Sequence, residues 1–164
     1  MKRPQAPRSV WYNPIHFCAF GFGSGVSPVA PGTMGTLMAI PFYLLFEGWS
    51  WQNYAIVVIL MTIIGIWFCD VASKDTGVED HPGIVWDEFT GYFITMWAAP
   101  AGWVWIVLGF LLFRLFDIWK PGPIGWLNDH VKGGLGVMID DVAAAIPALI
   151  IMQILAFIFV RSVV

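Results

Sequence analysis

Five apolar stretches set the terms on which this chain can fold. They run roughly over 37–46, 54–69, 89–99, 103–116 and 142–160, and each is continuously apolar rather than alternating. A strand of a membrane barrel would alternate with period two, so strands are not expected. Only the last stretch approaches the ~20 residues that carry a helix through hydrocarbon. The others must borrow length from flanking residues, tilt little, or be partly re-entrant. Charged residues make up 12% of the 164 and hydrophobic ones 59%. A soluble domain carries about 25% charged residues, so too few are present here to cover a globular surface. The ten Trp and thirteen Phe suit aromatic anchors at two membrane interfaces. The expected fold is an all-α integral membrane protein with about four to five membrane-embedded helices, some short or re-entrant. It forms a single domain over 1–164, with 1–16 as an N-terminal cytoplasmic or interfacial segment.

The connections between these stretches are of two kinds. The short ones, 47–53 (EGWSWQN) and 100–102, have Trp49, Trp51, Trp97 and Trp103 nearby and read as hairpin tips. The long ones, 21–35, 70–88 and 117–141, hold nearly all the unusual polar residues. A pair of apolar stretches separates each long segment from the next. If each pair is a helical hairpin, every long segment returns to the same face of the membrane. Lys2, Arg3, Arg8, Lys74, Arg114, Lys120 and Lys132 fall on that face and Arg161 on the other, so the motif face is expected to be cytoplasmic. The basic start leads into a mixed stretch rather than a clean apolar core, so no cleavable signal peptide is expected. With a net charge of −3 and no basic stripe, nucleic acid is not an expected partner. Cys18 and Cys69 sit in apolar surroundings and read as free thiols.

Ionisable groups beside membrane-embedded segments are expensive, which makes them functional candidates. Three clusters qualify. Asp87 and Glu88 stand at the mouth of an apolar stretch, in GIVWDEFTGYF. Arg114, Asp117 and Lys120 recur every third residue in FRLFDIWKPGP, at the end of a helix stopped by Pro121. Asp140 and Asp141, in GGLGVMIDDVAAAI, are read as opening the last helix. Five carboxylates on one face would repel one another, and some would protonate. A hard divalent cation resolves this, because Mg²⁺ takes carboxylate, water and phosphate oxygens. The same arrangement suits phosphoryl chemistry, with Arg114 and Lys120 neutralising the anion and Asp87, Glu88, Asp117, Asp140 and Asp141 as candidate ligands.

The segment GFGSGVSPVAPGTMGT (21–36) permits close backbone approach and offers N–H groups for a phosphate at a helix start capped by Thr33 or Thr36. It lacks the Lys of a P-loop, and a structural loop between helices is the plainer reading. No activating base is placed for Ser24, Ser27 or Thr33, so none is assigned as a nucleophile. His16, His81 and His130 show no zinc spacing, and His81 and His130 read as surface loop residues.

Four segments, GFGSGVSPVAPGTMGTLMAIP, IVWDEFTGYFITM, FRLFDIWKPGPIGW and KGGLGVMIDDVAAAI, resemble the successive motifs of the phosphatidylglycerophosphatase A family, over about 13–145. The resemblance implies a Mg²⁺-dependent integral phosphatase of the bacterial inner membrane. Such an enzyme removes the terminal phosphate of phosphatidylglycerophosphate to give phosphatidylglycerol. Carried over by position, the acidic and basic core is Asp87, Glu88, Asp117, Lys120, Asp140 and Asp141. The resemblance also implies a structural or phosphate-facing role for the loop at Pro31, Gly32 and Thr33. This chain departs from the pattern at Gly122 (usually an aromatic), Gly125 (usually Arg) and Asn128 (usually Asp), with Asp129 one position later. Two rival readings are a phosphatase or phosphotransferase for another lipid or polyprenyl phosphate, and an ion or proton pathway lined by the acidic residues.

Overall fold

The computed structural model describes residues 4–163, with the side chains of Asn128 and 160–163 left aside. Lys2, Arg3 and the side chains of Arg161 and Asn128 therefore lie outside the described residues. The described helices are α1 (Pro14–Ala19), α2 (Pro31–Leu44), α3 (Trp51–Thr76), α4 (Trp86–Thr95), α5 (Trp103–Trp119), α6 (Pro123–His130) and α7 (Gly133–Val163). Tight 3₁₀ turns at Arg8–Trp11 and Gly21–Val26 flank α1. No strand occurs among the described residues, in line with the continuous apolar runs.

Two helices are long and apolar enough to cross a membrane: α3, with 26 residues, and Gly133–Phe159 of α7, with 27. At 1.5 Å per residue each is about 40 Å long. α2 has 14 residues, α4 10 and α5 17, each fewer than the ~20 that carry an untilted helix through hydrocarbon. Of these, α4 packs between the two long helices, against both α7 and α3, while α2 packs mainly on α4 and α5 mainly on α7.

The helices outrun the apolar stretches at the end that carries the motifs. α3 continues through 70–76 until Gly77 (φ 68) ends it in the left-handed region. Glu88 and Asp87 form the first turn of α4. α5 runs on to Trp119, where Lys120 (φ 43) and then Pro121 stop it. α7 begins at Gly133, so Asp140 and Asp141 lie two turns inside the helix and do not open it. Helical hydrogen bonding tolerates polar side chains; hydropathy marks where a helix meets apolar surroundings, not where it ends.

Chain direction orders the bundle. α2 and α4 lead away from the motif end, α3 and α5 return to it, and α7 leads away again. The two short connections meet at the far end, where the Gly102 N–H donates to Glu47 Oε1 at 3.1 Å. Inside, small residues let the helices approach closely, as membrane bundles require: Gly91 faces Phe113, Gly109 faces Met96, and Gly65 faces Trp86 and Met138. Carbonyls that the short α4 and its following turn leave open find side-chain donors. The Tyr54 hydroxyl donates to Phe93 O at 2.9 Å and Gln153 Nε2 to Trp97 O at 2.7 Å. An unmet carbonyl in hydrocarbon would cost several kcal/mol, so these two bonds let α4 end early. Outward, Ile56 and Ile63 of α3, Leu111 and Leu115 of α5, and Ile150 and Ile154 of α7 are exposed.

Candidate active site

A cavity of about 610 Å³ opens at the motif end, between the start of α2, the loop before α4, the last turns of α5 and the first turns of α7. Pro31, Gly32, Asp87, Glu88, Arg114, Asp117, Lys120, Asp140 and Asp141 all line it. Thr33 does not. α2 starts at Pro31, behind Ala30 in the left-handed region (φ 45), with no side-chain cap. Thr36 donates instead to Gly32 O at 3.0 Å, while Ser24 and Ser27 donate to Gly21 O and Val29 O, both at 2.8 Å. The hydroxyls of Ser24, Ser27 and Thr36 thus serve the segment's own backbone. Its glycines make room for neighbours: a methyl group on Gly32 would overlap Glu88 Oε1 and approach Arg114 Nη1 to 3.2 Å.

Five carboxylates face the cavity in two kinds. Asp117 and Asp140 have cationic partners: Arg114 Nη1 lies 2.5 Å from Asp117 Oδ2, and Lys120 Nζ bonds Asp140 Oδ2. The same Arg114 nitrogen is 3.7 Å from Glu88 Oε1. Asp87, Glu88 and Asp141, by contrast, offer oxygens that all lie within 4.8 Å of one another. Asp87 Oδ1, Glu88 Oε2 and Asp141 Oδ2 are buried with no hydrogen-bond partner. Burial, then the charges of Glu88 and Asp141, pushes the Asp87 carboxyl well above its usual range. Burial likewise pushes Glu88 up to about 7, against the lowering effect of its hydrogen bond with Asp87 and the charge of Arg114. The first-turn position on α4 adds a favourable helix dipole, but that is worth only about 0.3–2 kcal/mol. Desolvating each ion costs several kcal/mol, so the dipole does not settle the matter. Three carboxylates crowded this closely, each with a buried oxygen that lacks a hydrogen-bond partner, fit a hard divalent cation.

Below this cluster the bundle is packed and apolar, with Phe89, Tyr92, Phe93, Phe113 and Met138 buried. The cavity is therefore open at the motif end and closed toward the middle of the bundle, a poor match to a conducting path.

Four further ionisable residues line the outer wall: Glu79, Asp80, Asp129 and Lys132. Their sequence surroundings are ordinary loop composition, and only folding brings them beside the cluster. Asp129 thus reaches the cavity one position after the Asn128 departure. His81 is buried, not a surface residue; its Nδ1 accepts from the Gly83 N–H at 3.0 Å. Burial lowers its pKa, so it serves as a neutral fastener of the loop before α4. His16 is buried too, between Ser9 Oγ (2.7 Å) and Asp75 Oδ2 (3.0 Å). His130 is exposed and stacks on Trp126. Cys18 and Cys69 are free thiols.

Residues 17–156 match the family model described as phosphatidylglycerophosphatase A. The chain is 52% identical to a phosphatidylglycerophosphatase A of Escherichia coli (strain K12) over 82% of its own length and 78% of that relative. It is 45% identical to one from Haemophilus influenzae, over 85% and 86% of the two chains. A relative from Bacteroides thetaiotaomicron, 41% identical over 82% and 88%, carries a provisional phosphatidylinositol-3-phosphatase name. No solved structure matches the chain.

Proposed function

The chain belongs to the phosphatidylglycerophosphatase A family, and on that premise we propose that it hydrolyses the terminal phosphate of phosphatidylglycerophosphate in the carboxylate cavity, with Mg²⁺ as cofactor. The observation that carries the metal is the set of partnerless buried oxygens on Asp87, Glu88 and Asp141. These three would hold the ion, and Asp117 and Asp140 line the same cavity. A divalent cation there supplies polarisation of a phosphoryl oxygen and relief of the carboxylate repulsion.

The chain's own residues do the rest. Arg114, held between Glu88 and Asp117, and Lys120, held by Asp140, bind and neutralise the phosphoryl oxygens. The paired carboxylates fix these cations at the cavity wall. A carboxylate of the cluster orients a water for attack on phosphorus. The bond from phosphorus to the glycerol oxygen then breaks, that oxygen takes up a proton, and phosphatidylglycerol and inorganic phosphate leave. Exposed Leu111, Leu115 and Ile118 lead along α5 to the cavity, and Ile118 lines it. This apolar ramp lets acyl chains stay in lipid while the headgroup enters. Lys74, Lys120 and Lys132 at the motif end support a cytoplasmic placement in the inner membrane.

The test is phosphate release from phosphatidylglycerophosphate by the purified protein, with Mg²⁺ and with EDTA. Release that needs metal and disappears in Asp87→Asn is the expected result. Equal release in EDTA would remove the metal, and an active Asp87→Asn would remove Asp87 from the chemistry. A protein that is folded but prefers phosphatidylinositol 3-phosphate would replace the substrate and leave the site in place.

A further inference from the structure

At the end of the bundle opposite the carboxylate cavity lies a separate cavity of about 230 Å³, lined by Tyr43, Phe46, Glu47, Trp49, Trp51 and Tyr54. The alanines of the 98–101 connection close it. Its aromatic walls are braced. Phe46 and Trp49 meet edge to face at 4.9 Å, Tyr43 and Tyr54 at 6.3 Å, and the Tyr54 hydroxyl is tied to Phe93 O. Ala98 sits in the left-handed region (φ 55), a conformation that an alanine adopts only when its surroundings impose it and that gathers at ligand clamps. Glu47 is the one acidic side chain in the lining, and no lysine or arginine joins it. Glu47 Oε1 accepts from the Gly102 N–H. Its second oxygen has no hydrogen-bond or ion-pair partner among the described residues.

We propose that this aromatic cavity binds the ammonium headgroup of a zwitterionic membrane lipid, with the cation between the Tyr and Trp faces and beside Glu47 Oε2. An ammonium is attracted to aromatic faces and to a carboxylate together, which is the pairing found here. A hard metal ion is not, because it needs several oxygen ligands and only one carboxylate is present. Trp49, Trp51 and Trp103 are exposed around this end, which sets the cavity at headgroup depth. Its volume is below the roughly 300–1,000 Å³ of sites that enclose a drug-sized ligand. That suits a headgroup whose tails remain outside. The inference does not depend on the reaction at the other end of the bundle.

Native mass spectrometry of the full chain, released from micelles that hold equimolar phosphatidylethanolamine, phosphatidylcholine and phosphatidylglycerol, tests it. The expected result is retention of the two ammonium lipids over phosphatidylglycerol. Glu47→Gln should reduce that preference at least about fivefold, as a charge-assisted contact becomes a neutral one. Phosphate release at the other end should stay unchanged in this variant, which also shows that it is folded. Trp51→Leu, which removes one aromatic wall without touching Glu47, should weaken retention in the same direction. Equal retention of the three lipids by the unaltered protein overturns the proposal, as does an intact preference in Glu47→Gln. Displacement of bound lipid by an equal concentration of free ethanolamine overturns the lipid assignment, because the site would then read the amine alone.

Discussion

Glu88 is the residue on which the site's response to pH turns. Its carboxyl is pushed up to about 7, while an unfolded glutamate titrates near 4.3. A raised carboxyl favours the folded state while it is protonated, so that contribution is full below the unfolded value. It is lost as pH rises through about 7. Asp87, raised by burial in the same way, acts in the same direction. Without a divalent cation the melting temperature should therefore fall between pH 5 and pH 8, and added Mg²⁺ should restore more of it at pH 8. Calorimetry should likewise show Mg²⁺ affinity dropping as pH falls below 7, because protons compete for the same oxygens. A melting temperature that is flat across this range would mean that Glu88 ionises as it does in water. Gly32 supplies a second test at the same scale. Alanine is a better helix former than glycine by about 1 kcal/mol, so Gly32→Ala should not harm α2 itself. Its methyl group would overlap Glu88 Oε1, however, and must displace that carboxylate. Phosphate release should fall by roughly a hundredfold, the scale of losing one preorganised electrostatic contact, with insertion unchanged.

Among the elements, α4 is the one whose environment defines it. With 10 residues it is shorter than any crossing requires, yet its residues Phe89, Tyr92, Phe93 and Thr95 are all buried. It serves as a central pillar that points Asp87 and Glu88 into the cavity at its first turn. Gly91 is where α5 and α7 close on it: a methyl group there would overlap the Phe113 ring and lie 3.3 Å from Asp141 O. Gly91→Ala should cost about 1–3 kcal/mol by overpacking and should also lower activity, since Asp141 shifts with the helix. Gly109 on α5 meets flexible methionine side chains, Met96 closely and Met152 at 3.7 Å, so Gly109→Ala should be milder. Thermal melts of the two variants in one detergent give the ranking. Equal losses would mean that α4 is not held as tightly as its burial implies.

For the whole molecule, two ends with opposite chemistry are joined by an apolar middle. One end carries the carboxylate cavity with Lys120 and Lys132 at its wall, the other the aromatic cavity with Glu47. If the bundle stands across the bilayer, residues at these ends label from opposite sides. Lys132→Cys should react with a membrane-impermeant maleimide only in inside-out vesicles, and Trp49→Cys only in right-side-out ones. Both are to be made with Cys18→Ser, since Cys69 is buried. Labelling of both from one side would mean that the chain does not cross between them.

The sequence by itself settles what is local or one-dimensional. Continuous apolar runs identify α2, α3, α4, α5 and α7 as helices in lipid-like surroundings, because hydropathy is a property of consecutive residues. The even number of apolar stretches between the long polar segments returns those segments to one end, because a hairpin must come back. Asp87, Glu88, Asp117, Asp140 and Asp141 stand out because charge is rare in such a chain. Tertiary structure alone decides what depends on distances across the fold. Asp117 and Asp140 are paired closely with cations and Glu88 only at 3.7 Å from Arg114, while Asp87 and Asp141 have none among the described residues; composition gives no hint of this division, since Asp141 follows Asp140 directly. One residue's rotation on α7, about 100°, turns one aspartate to Lys120 and the other to the α4 pair. Glu79, Asp80 and Lys132 reach the cavity for the same reason. The far-end cavity is formed in the same way, with its aromatic residues drawn from 43–54 and the alanines that close it from 98–101. Charge pairing and cavity shape are set by helix packing and rotation, and neither quantity is carried by any single stretch of sequence.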